Sequence, residues 1–252
     1  MNSASKQIEL TDTTVLITVR IDSPERKGNL SALLKVLARD YRIPVYVLEA
    51  DETQLFHPEK DNRGIKYCYI KDDDPVFHRT KYFRQMQQEI QTPYFAIWDT
   101  DAIAEPHQVF EAILALRNNE AVMSFPYDGR FMAVDPVTSV LFRNTLRLEA
   151  LTSFAASMNL VFGYHSYGGV CFLNREKYLE NGGENVDFYG WGPEDIERPV
   201  RMAVFGLPVY RANGLLYHLY HPKMSNTYYS SVDAERRSRK VFIELYRKEI
   251  IH

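Results

Sequence analysis

The chain has 252 residues, of which 45% are hydrophobic and 25% charged. This length and composition are typical of a globular protein of one large or two small domains, and they argue against disordered, collagen-like and coiled-coil proteins. With 30 basic and 33 acidic side chains and a net charge of -3, the chain lacks the positive charge that nucleic-acid binding needs, so we expect no nucleic-acid partner.

Strand and helix patterns alternate in the first half of the chain. Short apolar runs predict buried strands, and apolar residues at helical spacing predict the helices between them. The predicted strands are 14–19, 44–50, 65–70, 94–98 and 121–125, and the predicted helices start at Asn29, near residue 76 and at Pro106. Residues 20–28 are predicted as a loop, with Asn29 as the helix cap. The alternation predicts an α/β fold with a mostly parallel central sheet flanked by helices.

The second half of the chain loses this alternation. We predict a helix over 137–157, a strand over 168–173, a helix from Pro193 to about Phe205, one or two strands within 207–218 and a helix over 233–249. No repeat, low-complexity tract or linker interrupts the sequence, which favours one domain with an elaborated second half.

The two cysteines and the apolar runs bear on localisation. Cys68 and Cys171 lie inside apolar segments, as buried free thiols do in a reducing compartment. No run approaches the roughly 18–20 apolar residues of a membrane-spanning helix, and none resembles a signal peptide. We therefore expect a cytoplasmic protein, whose basic but glutamate-interrupted C-terminal helix allows at most a peripheral contact with the inner face of a membrane.

Two groups of residues are candidates for a metal site. Asp99-Thr-Asp101 follows a predicted strand, and the carboxyl ends of strands in an open α/β sheet are where ligands collect. Such a pair is also common in turns and helix caps, so its position counts for more than its spacing. His218 and His221 offer imidazole nitrogens, and a histidine brought beside Asp101 would complete a mixed oxygen and nitrogen site.

The segment Gly190-Trp-Gly-Pro-Glu-Asp195 is a candidate for catalysis. Its glycines allow close approach of a ligand, Trp191 offers a flat face of the kind on which sugar rings pack, and Glu194 and Asp195 begin a predicted helix. One acid there could serve as a base; alternatively, the two acids only stabilise the helix N-terminus and Trp191 fills the core. The signatures of zinc proteases, serine hydrolases, dinucleotide oxidoreductases and P-loop NTPases are missing from the sequence.

Together these motifs resemble the GT-A glycosyltransferases, and within them the enzymes with a galactosyltransferase-type C-terminal region, such as β-1,4-galactosyltransferases and bacterial chondroitin-type polymerases. Residues 190–195 are close to that family's G-W-G-x-E-D signature, Phe77-His-Arg-Thr-Lys81 is similar to F-N-R-A-K, and Asp99-Thr-Asp101 looks like the D-x-D metal motif. Residues 16–30 look like the first strand and donor loop, and Tyr167-Gly-Gly169 resembles the glycine pair beside the donor sugar.

The resemblance implies a role for each matching residue. Asp195 is implied as the catalytic base with Glu194 beside it, and Tyr189 and Trp191 as acceptor contacts. Asp101 and His218 are implied as metal ligands, with Asp99 and His221 as further candidates. The implied contacts with the donor nucleotide sugar are Arg20, Asp22, Glu49, Asp51, Phe77, Arg79, Asp99, Gly168 and Gly169.

We therefore expect a single GT-A domain over 1–252, with a nucleotide-binding half (1–126), an acceptor and metal half (127–232) and a C-terminal helix (233–252). The implied activity is an inverting transfer of a hexose or N-acetylhexosamine from a UDP-sugar to a glycan or glycolipid hydroxyl, in polysaccharide biosynthesis, with Mn²⁺ or Mg²⁺ as cofactor. A carboxylate and imidazole donor set favours Mn²⁺.

Two other classes stay open. The first is a noncatalytic module that binds nucleotide sugars or glycans on the same scaffold, because a fold does not guarantee an activity. The second, less favoured, is a sugar nucleotidyltransferase, since the Gly-rich N-terminal loop of those enzymes has no counterpart here beyond Gly28.

Overall fold

The structure is a computed structural model and describes residues 7–59, 64–223, 229 and 231–249. Its strands are β1 (Ile8–Glu9), β2 (Thr13–Val19), β3 (Tyr41–Arg42), β4 (Val45–Asp51), β5 (Ile65–Lys71), β6 (Tyr94–Trp98), β7 (Ala102–Ala104), β8 (Met123–Phe125), β9 (Phe131–Ala133), β10 (Asn159–Leu160), β11 (Val170–Asn174), β12 (Val209–Arg211) and β13 (Leu216–His218). Its helices are α1 (Pro24–Asp40), α2 (Arg79–Glu89), α3 (Pro106–Arg117), α4 (Pro136–Thr145), α5 (Glu149–Thr152), α6 (Arg175–Glu180), α7 (Glu194–Val204) and α8 (Val232–Glu249).

A seven-stranded sheet forms the centre of the fold, with the strand order β12-β8-β11-β6-β2-β4-β5. Every neighbouring pair is parallel except those made by β11, which runs antiparallel to both β6 and β8. All seven residues of β2 are buried, as expected for a central strand covered on both faces. The predicted α/β fold with a mostly parallel sheet flanked by helices is confirmed.

A second, four-stranded sheet was not predicted from the sequence. Its order is β10-β9-β13-β7, and β13 lies between β9, to which it is parallel, and β7, to which it is antiparallel. This register places His218 opposite Ala102, the residue that follows Asp101. The second sheet therefore carries the histidine segment to the acidic end of β6.

Two of the predicted helix boundaries are wrong. Helix α1 begins at Pro24, capped by the Ser23 hydroxyl, which accepts a hydrogen bond from the backbone N–H of Arg26 at 3.2 Å. Asn29 is therefore not the cap but a fully buried residue inside the helix. The polar composition of residues 20–28 obscured the Ser-Pro-Glu helix start, which has proline in the first turn.

The second error concerns the helix predicted over 137–157. Helix α4 ends at Thr145, where Leu146 adopts a left-handed conformation with φ of 55°, and the chain continues as the short α5 and a 3₁₀ turn at Ala155–Ser157. A left-handed residue breaks the helical repeat, so one continuous helix cannot form. The division into functional regions at residues 126 and 232 stays a prediction.

Among the described helices, none combines the length and the apolar character that crossing a membrane requires.

The Ser23 cap gives a stability prediction. Because Ser23→Ala leaves an N–H at the start of α1 without its side-chain acceptor, we expect the free energy of unfolding to fall by about 1 kcal/mol. Urea denaturation followed by circular dichroism measures this change. The matched control is Ser31→Ala on the same helix, whose hydroxyl bonds only the Lys27 carbonyl one turn earlier, and it should change the free energy by less than half as much. Equal losses in the two variants would contradict the assignment of the cap.

Candidate active site

Three side chains form a cluster with the donor atoms of a metal site. Asp101, at the end of β6, lies 3.2 Å from His221 (Oδ2 to Nε2) and 3.7 Å from His218 (Oδ1 to Nε2). One donor atom from each of the three lies within 4.8 Å of the others. The structure thus brings both candidate histidines to Asp101, including His221, which the sequence ranked second.

The ionisation of the cluster suits a cation. Burial disfavours the charged form of Asp101, but His218, His221 and Arg26 outweigh it and hold the pKa of Asp101 well below its usual range. Burial lowers the pKa of His218, which keeps that ring neutral and able to ligate. Burial opposes the charged form of His221, but its hydrogen bond with Asp101 outweighs burial and raises the pKa of His221, so a cation at this ring would compete with a proton.

Arg26 stands next to this cluster, and the sequence did not assign it a role. Its Nη1 lies 3.6 Å from Asp101 Oδ2, its Nη2 is 3.2 Å from His221 Nδ1, and its Nε donates to Asp22 at 2.8 Å. Arg26 lies in the first turn of α1, and its contacts with Asp22 and His221 hold the guanidinium beside Asp101. Its position after a Ser-Pro helix start was the only signal available.

Asp99 lies apart from the three clustered side chains. Its carboxylate pairs with Arg79, the first residue of α2. Arg79 also lies 3.7 Å from Glu194 and 3.8 Å from Asp195, measured from Nη1 to the nearest carboxylate oxygen. Arg79 therefore connects the predicted D-x-D motif to the predicted acid pair at the start of α7.

Glu194 and Asp195 differ sharply in environment. Glu194 is 5% exposed, and its Oε2 has no hydrogen-bond partner among the described residues. Burial, followed by the charge of Asp195, raises the pKa of Glu194 to about 8. Glu194 is therefore largely protonated at neutral pH. The neighbouring carboxyl group, that of Asp195, lies against two cations.

Those two cations are Arg79 and Arg198. Arg198 is 2% exposed and donates to Asp195 Oδ1 at 2.6 Å. On its other side it pairs with Glu184, which is 1% exposed. The Glu184–Arg198 pair was not predicted, because Glu184 lies outside every recognisable motif.

The glycine pair allows the acid to approach the sheet. A Cβ on Gly168 would lie 2.8 Å from Asp195 Oδ2, and one on Gly169 would lie 2.5 Å from the side chain of Leu216. Gly169 also has a φ of +89°, which favours glycine. The backbone N–H of Asp99 donates to the Gly169 carbonyl at 2.8 Å, so the glycine pair adjoins both Asp99 and Asp195.

The predicted donor contacts at the N-terminal loop are largely engaged within the protein. Arg20 donates to the carbonyls of Ala50 and Asp74 and to the carboxylate of Asp72, and its guanidinium lies 5.3 Å from the centre of the Phe77 ring. Asp22 accepts from Arg26. Arg20 is therefore fixed by the protein itself, and its guanidinium packs against the Phe77 ring.

The structure separates the two acidic candidates at the end of β4. Glu49 is fully buried, and its carboxylate accepts hydrogen bonds from the N–H groups of Leu55 and Phe56 and from the Tyr67 hydroxyl. Its oxygens are occupied by the protein, so the expectation of a direct Glu49 contact with the nucleotide is not supported. Asp51, half-buried at the strand end, is the candidate that stays accessible.

The two predicted acceptor contacts, Tyr189 and Trp191, are exposed to solvent. Trp191 is 41% exposed and packs edge-on against Tyr229, with ring centres 4.8 Å apart. Tyr189 is 38% exposed, and its hydroxyl donates to Asp74 at 2.6 Å. Tyr189 therefore ties the Gly-Trp-Gly segment to the loop that precedes Phe77.

Comparison with known proteins supports the predicted resemblance. The family model for the N-terminal domain of galactosyltransferase matches residues 149–224, a stretch that contains the glycine pair, the acid pair and both histidines. Among curated protein sequences, no relative matches this chain.

Solved structures share the fold at low sequence identity. They include a variant of Drosophila β1,4-galactosyltransferase 7 with manganese, UDP-Gal and xylobiose, at 16% identity and a TM-score of 0.51 over 83% of this chain and 71% of that one. A mannosyltransferase from Pyrobaculum calidifontis with GDP-Man and Mn²⁺ matches at 13% identity with a TM-score of 0.51, over 87% of this chain and 59% of that one. GalNAc-T7 with UDP, GalNAc and Mn²⁺ matches at 10% identity with a TM-score of 0.56, over 84% of this chain and 43% of that one.

The chain therefore has the GT-A fold, and its predicted resemblance to galactosyltransferase-type enzymes is confirmed. The solved structures show the shared fold, and the family model adds a match to a galactosyltransferase domain over residues 149–224.

The buried Glu194 predicts a pH-dependent stability. The folded chain keeps the Glu194 proton up to about pH 8, whereas the unfolded chain loses it near the ordinary value of 4.5. The free energy of unfolding should therefore fall as the pH rises through this window. Glu194→Gln removes the titration, so we expect a smaller fall between pH 5 and 8, measured by urea denaturation in a metal chelator.

Glu111→Gln, at an exposed position on α3, is the matched control for that experiment and should retain the wild-type slope. If the free energy of unfolding falls with pH equally in wild type and in Glu194→Gln, then Glu194 is ionised in the folded chain.

Proposed function

We propose that this protein is a metal-dependent, inverting glycosyltransferase that moves a hexose or N-acetylhexosamine from a UDP-sugar to a hydroxyl group of a glycan or glycolipid. The observation that carries the proposal is the placement of two functional groups on either side of one backbone segment. The segment is Asp99–Asp101: Asp101 carries the two histidines, and Asp99 pairs with Arg79, which lies against Glu194 and Asp195.

The donor set fits a divalent cation. One carboxylate and two imidazoles can be ligands together, and a cation held by Asp101, His218 and His221 has the oxygen and nitrogen donors that Mn²⁺ accepts. When bound, such a cation supplies positive charge that stabilises a departing diphosphate. Mn²⁺ is present in the galactosyltransferase, mannosyltransferase and GalNAc-T7 structures that share the fold.

The acid pair divides the acid and base roles. Asp195 lies against Arg198 and Arg79, and its carboxylate accepts the proton of the acceptor hydroxyl as that oxygen attacks the sugar. Glu194, with a pKa near 8, stays protonated and can donate a hydrogen bond to a substrate oxygen. Environments that separate the ionisation of two neighbouring acids are typical of acid–base sites.

The chain's own cations can stabilise the leaving group. Arg26 lies beside the Asp101 cluster, where a diphosphate bound to a metal would place its negative charge. Attack of the acceptor oxygen on the anomeric carbon, from the face opposite the diphosphate, would form the new glycosidic bond as the sugar–phosphate bond breaks and UDP leaves. Such a single displacement inverts the anomeric carbon without a covalent intermediate.

Calorimetric titration of UDP, GDP and CDP, each with and without Mn²⁺, tests the donor and the metal. We expect UDP to bind tightly only with Mn²⁺, and Asp101→Ala to weaken that binding by more than ~100-fold, because a direct ligand counts for more than a supporting contact. The matched control is Asp12→Ala. Asp12 directly precedes β2, at the N-terminal end of that strand, and pairs with Arg117. Absence of nucleotide binding under every condition would overturn the proposal in favour of glycan binding alone.

Asp195→Asn tests catalysis separately from binding. Because the amide cannot accept the proton, we expect turnover to fall by roughly 10²–10⁴-fold while affinity for UDP changes little. UDP release from a panel of UDP-hexoses with disaccharide acceptors measures turnover, and the exposed Asp187→Asn is the matched control. A wild-type protein that binds UDP-sugars but never releases UDP would point to a noncatalytic binding module.

A further inference from the structure

The two histidines of the metal cluster are held in place by different means. His218 is the last residue of β13, and it is paired with Ala102 of β7 and Ala133 of β9. Its carbonyl also accepts a hydrogen bond from the Val134 N–H at 2.9 Å. His221 lies three residues beyond the strand, in a segment without regular secondary structure. The backbone position of His221 therefore depends on the contacts that hold residues 219 and 220.

Two buried side chains hold the backbone of Tyr220 from opposite sides. The Tyr220 N–H donates to the hydroxyl of Ser139 on α4 at 2.8 Å, and the Tyr220 carbonyl accepts from Nδ2 of Asn29 on α1 at 3.2 Å. Both side chains are fully buried. One residue earlier, the Leu219 N–H donates to the Asp101 carbonyl at 2.8 Å. We call Ser139 and Asn29 the Tyr220 clamp.

The clamp has its own support. Arg143 of α4 donates through Nη1 to Oδ1 of Asn29 at 2.9 Å, which fixes the orientation of the amide and points Nδ2 at Tyr220. The Arg143 side chain crosses α1 at Gly28, where an added Cβ would lie only 3.2 Å from Arg143 Cδ. Two helices far apart in sequence thus converge on the backbone of one residue, Tyr220, between the two histidines.

We propose that Ser139 and Asn29 are positioning residues for metal binding, which preset His221 against Asp101 through the backbone of Tyr220. This inference rests on the proposed metal site. Side chains that orient a metal ligand without touching the metal typically change affinity by roughly 10–100-fold when they are removed. Neither residue carries a charge, so the effect would come from the geometry of the ligands and not from the field at the metal.

A purely structural role for the clamp makes a different prediction. Ser124 on β8 provides the comparison, because its hydroxyl is also fully buried and donates to one backbone carbonyl, that of Ala112, at 2.7 Å. Ser124→Ala and Ser139→Ala each remove one buried hydroxyl that bonds a backbone group. Their melting temperatures should fall by similar amounts, whereas only Ser139→Ala should weaken metal binding.

The experiment measures free Mn²⁺ by electron paramagnetic resonance during titration of the 252-residue chain, without nucleotide. We expect Ser139→Ala and, as a second variant, Asn29→Ala to raise the Mn²⁺ dissociation constant by roughly 10–100-fold, and Ser124→Ala to leave it within about twofold of wild type. Circular dichroism checks that each variant is folded before titration.

Unchanged Mn²⁺ affinity in folded Ser139→Ala and Asn29→Ala would overturn the inference, as would an equal loss in Ser124→Ala, and both results would leave the proposed metal site intact. Wild-type protein that takes up no Mn²⁺ would instead overturn the metal site itself, and the positioning role with it.

Discussion

One half-buried cation, Arg79, makes the arrangement of the candidate site possible. Asp99, Glu194 and Asp195 converge on its guanidinium from the end of β6 and the start of α7. Three carboxyl groups so close together repel one another when ionised, and burial adds a desolvation cost that only a counter-charge offsets. Although burial opposes its charge, these neighbours hold the pKa of Arg79 above its usual range. Arg198 continues the network, because it pairs with Asp195 on one side and with the buried Glu184 on the other.

Local patterns in the sequence were enough to predict the framework of the fold. Strands β2, β4, β5 and β6 and helices α2 and α3 follow from apolar runs and helical spacing, because in a sheet covered on both faces the burial of each element shows in its own residues. The placement of Asp101 at a strand end follows from the same reasoning. The acid pair at the start of α7 was visible because glycines, a proline and two acids mark a helix N-terminus within six residues.

The features that escaped prediction depend on residues distant in sequence. Strands β7, β9 and β13 have three residues each and become stable only when they pair with one another. Nothing near Glu49 shows that its carboxylate binds the backbone at Leu55 and Phe56, and nothing near Ser139 shows that it reaches Tyr220. A sequence pattern records the burial of a residue but not its partner, so these contacts required the three-dimensional structure.

The reversed direction of β11 has a consequence for how the protein can diversify. Because β11 pairs antiparallel with β8, residues 126–169 leave and re-enter the central sheet at adjacent positions on one edge, as the loop of a hairpin does. An insertion between adjacent strand ends can change in length and sequence at little cost to the sheet, since loop-closure entropy grows slowly with length. The segment is nevertheless tied to the candidate site at three points, because β9 pairs with β13, Ser139 bonds the backbone of Tyr220 and Gly168 faces Asp195. Changes in length can therefore be accommodated only between these points.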